Sequence, residues 1–308
     1  MTGIENVDHV AIPVTDLTKA ELFYMDWLGL KFKTRRTNLD GSPRQTYVLA
    51  GANIIGLHLP GMQAETSASM APRVGIAVSE ERFHAILKRL DHERHPFVIS
   101  SDKEFPAHLL RSASCLDSNG NWVEICVWRD PLGPDYVSHV VVETVDLGKS
   151  RAFYAKALGM KDLGGFGEER YFQVGTGQLY GLREVSSLSE RSRKHGRGCH
   201  IALNVSQADF DEMLRLIPEY GGKDQGDPRA EDGLRPEGEK STYFFDPDRN
   251  RLQITAAPDA PDAMLSDEEK WRRIVENRAK QGKGISRWDR GETARGTKTE
   301  HKGEKGGD

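Results

Sequence analysis

The sequence predicts an α+β protein of tandem paired βαβββ modules, forming two similar domains that each curve a sheet around a cavity and carry helices outside. Two observations lead there. The chain repeats itself at an offset of 130 residues: Val7-Asp8-His9-Val10, Phe23-Tyr24 and Leu28-Gly29 return as Val137-Ser138-His139-Val140, Phe153-Tyr154 and Leu158-Gly159. Within each half the order strand, helix, strands occurs twice. A duplication at this period means two similar domains, not a solenoid.

Residues 5–14 read as a strand, because Val7, His9, Ala11 and Pro13 point one way while Asp8, Val10 and Ile12 point the other. Asp16 marks a helix start, and Leu17, Ala20, Phe23, Tyr24 and Leu28 hold helical spacing until Gly29 ends it. Short strands follow around the Gly51 turn, at 45–49 and 53–59. A second unit opens at 74–78, passes through a helix with Phe83, Ile86, Leu87 and Leu90 on one face, and closes at 123–127. The second half repeats the plan. Its strands fall at 139–145, 178–184, 201–205, 242–245 and 251–255, with helices around Phe153 and over Phe210, Met213, Leu214 and Ile217. Arg129-Asp130-Pro131-Leu132-Gly133-Pro134 has the composition of a linker. The chain therefore divides into an amino-terminal domain, 1–130, a carboxy-terminal domain, 135–257, and a tail, 258–308. Ser266-Asp267-Glu268-Glu269 would cap one tail helix, and disorder is expected beyond Trp288, where large apolar residues cease.

With 308 residues, each domain has the length to bury a core. A net charge of -4, from 43 basic and 47 acidic residues, provides no overall field for nucleic acid or an anionic membrane, so small-molecule chemistry is the expectation. No run of about 18 apolar residues and no basic-then-apolar leader is seen, which points to a cytoplasmic protein. Cys115, Cys126 and Cys199 lack the spacing of a disulfide framework or a zinc finger.

The residues that suggest chemistry lie in the second half. His139 is on its first strand, His200 opens its second unit, and Gln253 is on its last strand. Sheet closure would bring them to one mouth, where two imidazoles and one oxygen donor leave open positions on a six-coordinate ferrous or manganous ion. Gln253 lacks the charge of a carboxylate, which lowers the attraction for a cation.

The His-Val strands with their Phe-Tyr and Leu-Gly sequels, the segment Gly196-Arg197-Gly198-Cys199-His200-Ile201-Ala202, and the run Tyr243-Phe244-Phe245-Asp246-Pro247-Asp248-Arg249-Asn250-Arg251 resemble the vicinal oxygen chelate superfamily. The two-domain plan is similar to that of the type I extradiol catechol dioxygenases, over residues 4 to about 256. The resemblance implies that His139 and His200 are metal ligands, that Gln253 stands where the family has glutamate, and that Tyr243 is the active-site tyrosine. It implies ring cleavage of a catechol-type aromatic with dioxygen, on ferrous ion, with manganous ion as the alternative.

Departures from the family pattern leave other readings open. Two non-ligand histidines of ring-cleaving members fall at Tyr180 and at Asp232 or Leu234. His195 would then be the catalytic acid or base. The amino-terminal domain is expected to lack metal, because aligning Ile76-Ala77 with Ile201-Ala202 puts Gly75 between the outer positions, His9 and Glu124. A glyoxalase-like site would instead use the first and last strands of two units. The alternatives to a dioxygenase are a metal-free tandem protein that binds an aromatic metabolite and a non-redox isomerase or lyase. Exposed sheet edges lead to the expectation of a homo-oligomer.

Overall fold

The computed structural model describes residues 3–37, 41–59, 68–100, 109–129, 131–133, 135–175, 177–193, 200–227 and 239–257. His195, Cys199, Asp232, Leu234 and the tail helix expected after Ser266 lie outside the described residues.

Four modules follow one another. The first holds β1 (Ile4–Pro13), α1 (Leu17–Glu21), β2 (Lys31–Thr37), β3 (Pro43–Ala50) and β4 (Asn53–His58). The second holds β5 (Arg73–Ala77), α2 (Glu80–His92), β6 (Phe97–Ser100), β7 (Leu109–Leu116) and β8 (Trp122–Trp128). The third is β9 (Tyr136–Thr144), α3 (Leu147–Ala152), β10 (Lys161–Phe166), β11 (Glu169–Val174) and β12 (Gln178–Glu184). After the short α4 (Glu190–Arg193) comes the fourth, with β13 (His200–Val205), α5 (Gln207–Glu219), β14 (Lys223–Asp224), β15 (Lys240–Phe245) and β16 (Arg251–Ala256).

Caps fix where the helices begin. Asp16 and Asp146 accept from the amides of Lys19 and Lys149, at 3.1 and 2.9 Å. Ser79 and Ser206 accept from Arg82 and Asp209, at 3.2 and 3.1 Å, satisfying amides that a helix start leaves unpaired. α1 and α3 are shorter than periodicity suggests. Each passes into a wide π turn, Leu22–Trp27 and Phe153–Ala157. The extra residue per turn shifts the buried face, so both members of Phe23-Tyr24 and of Phe153-Tyr154 sit in the core.

The sheets do not follow the halves of the sequence. One sheet runs β14-β15-β16-β13-β1-β4-β3-β2, from the fourth and first modules. The other runs β10-β11-β12-β9-β5-β8-β7-β6, from the third and second. The seams are antiparallel. β1 pairs β13 with His9 opposite Ala202 and Ala11 opposite His200, and β5 pairs β9 with Gly75 opposite His139.

Each half is nonetheless tied together across the two sheets. Tyr24 Oη donates to Asp117 Oδ2 at 3.0 Å, and Tyr154 Oη donates to Asp246 Oδ2 at 2.7 Å. Each aspartate also turns its own chain: Asp117 Oδ1 accepts from the amides of Asn119 and Asn121, and Asp246 Oδ1 from those of Asp248 and Asn250. Asn121 and Asn250 then donate to the Pro13 and Glu143 carbonyls, on the first strand of each half. Tyr180 belongs to this buried cluster, its hydroxyl 2.8 Å from that of Tyr154.

Burial, which outweighs the hydrogen bonds from Asn250 and Tyr154, pushes Asp246 up to about 6. A carboxyl raised in the folded state binds its proton more tightly there than in the unfolded chain. Its contribution is present below the ordinary aspartate value of about 3.9 and is lost as pH rises through about 6. Urea denaturation between these pH values should show stability falling as pH rises, less steeply in Asp246→Asn. An unchanged slope would reject the assignment. Tyr154→Phe, which removes a donor from a buried carboxylate, should cost roughly 1–3 kcal/mol.

Candidate functional site

Strand register decides which side chains share a face, since alternate residues point to the same side. On the sheet of the first and fourth modules, one row runs Tyr243, Gln253, Ala202, His9, Ile54. The next contains His200, Ala11, Gly56 and Tyr47, and a third contains His58, Gln45 and Arg36. Histidine, glutamine and tyrosine thus fill one face, while Val10, Ile12, Leu57, Leu203, Leu252 and Ile254 fill the core. The small residues Ala11, Ala202 and Gly56 lie among the imidazoles, and the His58 ring packs over Gly56, where a Cβ would stand 2.6 Å from His58 Nε2.

The imidazoles converge. His9 Nε2 and His200 Nε2 stand 2.8 Å apart, with the rings edge to face. His9 Nδ1 donates to Asp8 Oδ2 at 2.5 Å, so in neutral His9 the lone pair is on Nε2. Burial favours protonation of Asp8, yet contact with His9 and Asn204 and the charge of Lys33 hold its carboxyl below the usual range. Around this pair, the His58 ring lies 6.4 Å from that of His200, Tyr243 lies 5.1 Å from His200, and Tyr47 lies 5.7 Å from His58. Gln253 is 1% exposed. Its Nε2 donates to Ser241 Oγ at 2.9 Å, which leaves Oε1 buried without a hydrogen-bond partner among the described residues.

The equivalent face of the other sheet has the same geometry and opposite chemistry. His139, Gly75 and Glu124 share a row as His9, Ala202 and Gln253 do. Arg73 stands where the first sheet has His200, Tyr171 where it has Tyr47, Glu169 for Gln45, and Arg183 for His58. These groups close on each other. Arg73 Nε is 2.6 Å from Glu124 Oε2, and its Nη2 reaches both Glu169 oxygens at 3.0 and 2.9 Å. Arg73 Nη1 donates to the Met70 carbonyl, and His139 Nε2 donates to Glu124 at 3.1 Å. Tyr171 donates to Glu169. Burial pushes Glu124 up, but the charge of Arg73 and the contact with His139 outweigh it and hold the carboxyl at about 2.

Ligand atoms of Glu124, Cys126 and His139 lie within 4.8 Å of one another, a group with the composition of a metal site. The guanidinium of Arg73 already supplies a cation there. Burial raises the Cys126 thiol well above its ordinary value, which disfavours the thiolate a metal needs.

The three ligands expected from the sequence, His139, His200 and Gln253, are not brought together. His200 and Gln253 share a face, and His9 completes it. His139 is in the other sheet, against Glu124, because first strands pair across the halves of the chain. Tyr243 is beside His200, with the ring centres 5.1 Å apart. The expected alignment of Gly75 with His200 is two residues out. The caps Ser79 and Ser206, which start equivalent helices, set Arg73 against His200 and Gly75 against Ala202. Gly75 has a different part: a Cβ there would lie 2.1 Å from the His139 ring. Sequence reasoning missed His58 and Arg73, and the matched serine caps were the signal available for Arg73.

A family model described as the Glyoxalase/Bleomycin resistance protein/Dioxygenase superfamily matches residues 6–125 and 136–254. No curated protein matches the sequence. Among solved structures, a "putative dioxygenase" from Bacillus subtilis is similar at TM-score 0.63 and 16% identity, over 90% of this chain and 97% of that one. Glyoxalase I from Zea mays is similar at TM-score 0.59 and 16% identity, over 88% and 96%. These likenesses are of fold. No helix among the described residues is long and apolar enough to cross a membrane.

Replacing Arg73 by methionine leaves Glu124 buried without its guanidinium and Glu169 with only the longer contact to Arg183, at 3.5 Å. A loss of about 3–5 kcal/mol is expected in denaturant unfolding. In the wild type the contribution of Glu124, whose folded value is depressed, is present above the ordinary carboxylate range and lost as pH falls toward about 2. Arg73→Met should lose that acid limb. Wild-type stability in the variant would show that the pair is not holding the sheet.

Proposed function

Because this chain belongs to the Glyoxalase/Bleomycin resistance protein/Dioxygenase superfamily, we propose that the polar face of its first-and-fourth-module sheet is the active site of a metal-dependent, extradiol-type dioxygenase for a catechol-type aromatic. The observation that carries this reading is the approach of His9 Nε2 to His200 Nε2 on the face that also carries Gln253, whose Oε1 has no hydrogen-bond partner among the described residues.

The donor set fits a divalent ion. Two nitrogens each about 2.1 Å from one ion at a right angle stand about 3 Å apart, close to the 2.8 Å found. Asp8 behind His9 is the carboxylate that commonly fixes a ligating imidazole. His9, His200 and Gln253 would hold ferrous or manganous ion, leaving positions for neighbouring substrate oxygens and for dioxygen. When bound, such an ion supplies the path for electrons from substrate to dioxygen.

The chain's own groups serve the substrate. His58 is the proton carrier for a substrate hydroxyl, held by Gln45, whose Nε2 is 3.1 Å from His58 Nδ1. Tyr243 orients a substrate oxygen next to His200. A cavity of about 70 Å³ adjoins His200, lined by the core-facing side chains of Val10, Val74, Val140 and Val142 behind the histidine row. A second reading, a non-redox isomerase or lyase, is favoured by one feature: the site combines first and last strands of two modules, with an amide in place of a carboxylate.

Anaerobic purification and ferrous reconstitution should give about one ion per chain, lost in His9→Ala and in His200→Ala. Asp8→Ala should weaken the ion by roughly 10–100-fold, and Gln253→Glu should tighten it. Oxygen uptake with catechols is the expected activity, reduced in His58→Gln. Product formed without oxygen would transfer support to the isomerase reading. Metal retained by His9→Ala would reject the site.

A further inference from the structure

We infer that Asn204 and Thr255 are positioning residues of this site: acting through Asp8, they fix the His9 ring so that its Nε2 lone pair is presented to the ion. The inference deepens the metal-site reading given above and rests on it.

A strand irregularity brings the side chains together. Along the seam of β1 and β13, Asn6 faces Asn204, Val7 faces Leu203 and His9 faces Ala202. Two steps on β1 thus answer one step on β13, and Asp8 is the extra residue of a β-bulge, a device by which a strand re-aims a side chain. Asp8 Oδ2 accepts from His9 Nδ1 at 2.5 Å, and Asp8 Oδ1 accepts from Asn204 Nδ2 at 3.3 Å. Asn204 shares the site face with His200 and Ala202, and it opposes Thr255 as Ala202 opposes Gln253. Thr255 Oγ1 donates to Asn204 Oδ1 at 2.7 Å, and Asn204 Nδ2 also donates to Asn6 Oδ1 at 2.9 Å. The amide is held this way round by chemistry, since an ionised carboxylate accepts hydrogen bonds and does not donate them. The Asp8 side chain is 35% exposed, so water competes for it, and the grip of Asn204 decides where the carboxylate stands. His9 then keeps its proton on Nδ1 and its lone pair on Nε2, 2.8 Å from His200 Nε2.

The other cradle supplies the comparison. Its seam has the same bulge: Gly75 faces His139 and Ile76 faces Val137, which leaves Ser138 as the extra residue in the place of Asp8. Ser138 Oγ lies 3.1 Å from His139 Nδ1, a neutral contact where the first cradle has a charged one. By the serine caps, Ala77 stands for Asn204. Cys126 opposes Ala77 as Thr255 opposes Asn204. An alanine side chain makes no hydrogen bond, so the line is broken there. The series of hydroxyl, amide and carboxylate therefore stands behind His9, whose Nε2 meets a second imidazole, and is missing behind His139, whose Nε2 is engaged by Glu124. Outer partners that orient a ligating imidazole fix its tautomer and raise its basicity, and Asn204 does this one bond further out.

Zinc affinity of the full-length protein, measured by chelator competition, tests this without turnover. Asn204→Leu should weaken zinc roughly tenfold, the lower end of the cost of losing an outer partner. Thr255→Val should also weaken it, while Thr255→Ser, which keeps the hydroxyl, should match the wild type. Because Asn204 acts through Asp8, the double variant Asp8→Ala, Asn204→Leu should bind zinc within about twofold of Asp8→Ala alone. Wild-type affinity in both Asn204→Leu and Thr255→Val, or a loss from Asn204→Leu that persists in full on the Asp8→Ala background, would overturn the inference. Nitrogen-15 spectra of His9 in the metal-free protein at one fixed pH give a second readout. The ring proton should be on Nδ1 in the wild type and shared between both nitrogens in Asn204→Leu, and identical spectra would overturn the inference. The outcomes separate it from the metal site itself. Zinc lost in His200→Ala but held equally by Asn204→Leu would keep the site and reject the positioning role. No zinc held by the wild type would reject the site, and the nitrogen spectra would then decide the positioning of His9.

Discussion

The antiparallel seam between β1 and β13 is the constraint from which the site follows. It joins strands some two hundred residues apart in sequence, and its register puts His9 opposite Ala202 and His200 opposite Ala11. A one-residue slip would send every side chain of one strand to the opposite face, turning Val10 and Ile12 out of the core and His9 into it. Burial of those apolar side chains therefore fixes the distance between two imidazoles. The seam between β5 and β9 obeys the same register, so the chain builds the same cradle twice.

What differs is the charge placed in each cradle. Glutamine, histidine, glutamine and histidine on one face become glutamate, arginine, glutamate and arginine on the other. Buried charges survive only when paired and hydrogen-bonded, and the Arg73 network meets that condition: Arg73 is 5% exposed, yet its guanidinium meets two carboxylates and a carbonyl. Such a network carries its own counter-cation, although Glu124 Oε1 is left without a hydrogen-bond partner among the described residues. Neutral groups impose a smaller desolvation cost, so their face can remain polar without internal counter-charges. The same scaffold accordingly carries a charged, self-paired network in one cradle and neutral polar groups in the other.

Much of this was legible in the sequence. The repeated His-Val, Phe-Tyr and Leu-Gly signatures identify modules, and alternation in residues 5–14 gives β1 its two faces. Pairing of modules was not legible, because strand edges of similar composition can meet in more than one order and sequence carries no direct record of which edge is near. Sequence alone therefore groups His139 with His200, which the strand order separates. The Gly75 alignment failed for a different reason: matching apolar residues along β5 and β13 is satisfied by two registers, and only the serine caps that stop each strand and start each helix distinguish them. His58 stayed hidden because a histidine ending a strand has no local signature. Its significance comes from Gln45 and His200, which reach it from other strands.

The twin aspartate turns explain how a face with an unpartnered amide oxygen can keep its shape. Asp117 and Asp246 each gather two backbone amides, an asparagine and a tyrosine; Asp117 joins a second-module turn to the first-module helix, and Asp246 a fourth-module turn to the third-module helix. Since the sheets exchange modules while the turns link halves, all four modules are connected in a ring, and no module can shift alone. Polar groups at functional sites commonly cost stability that other parts of a protein offset. Here the offset has a location: the closed Arg73 network and the two turns hold β1, β9, β13 and β5 in place, and the His9–His200 pair is positioned by strands that those contacts do not allow to move.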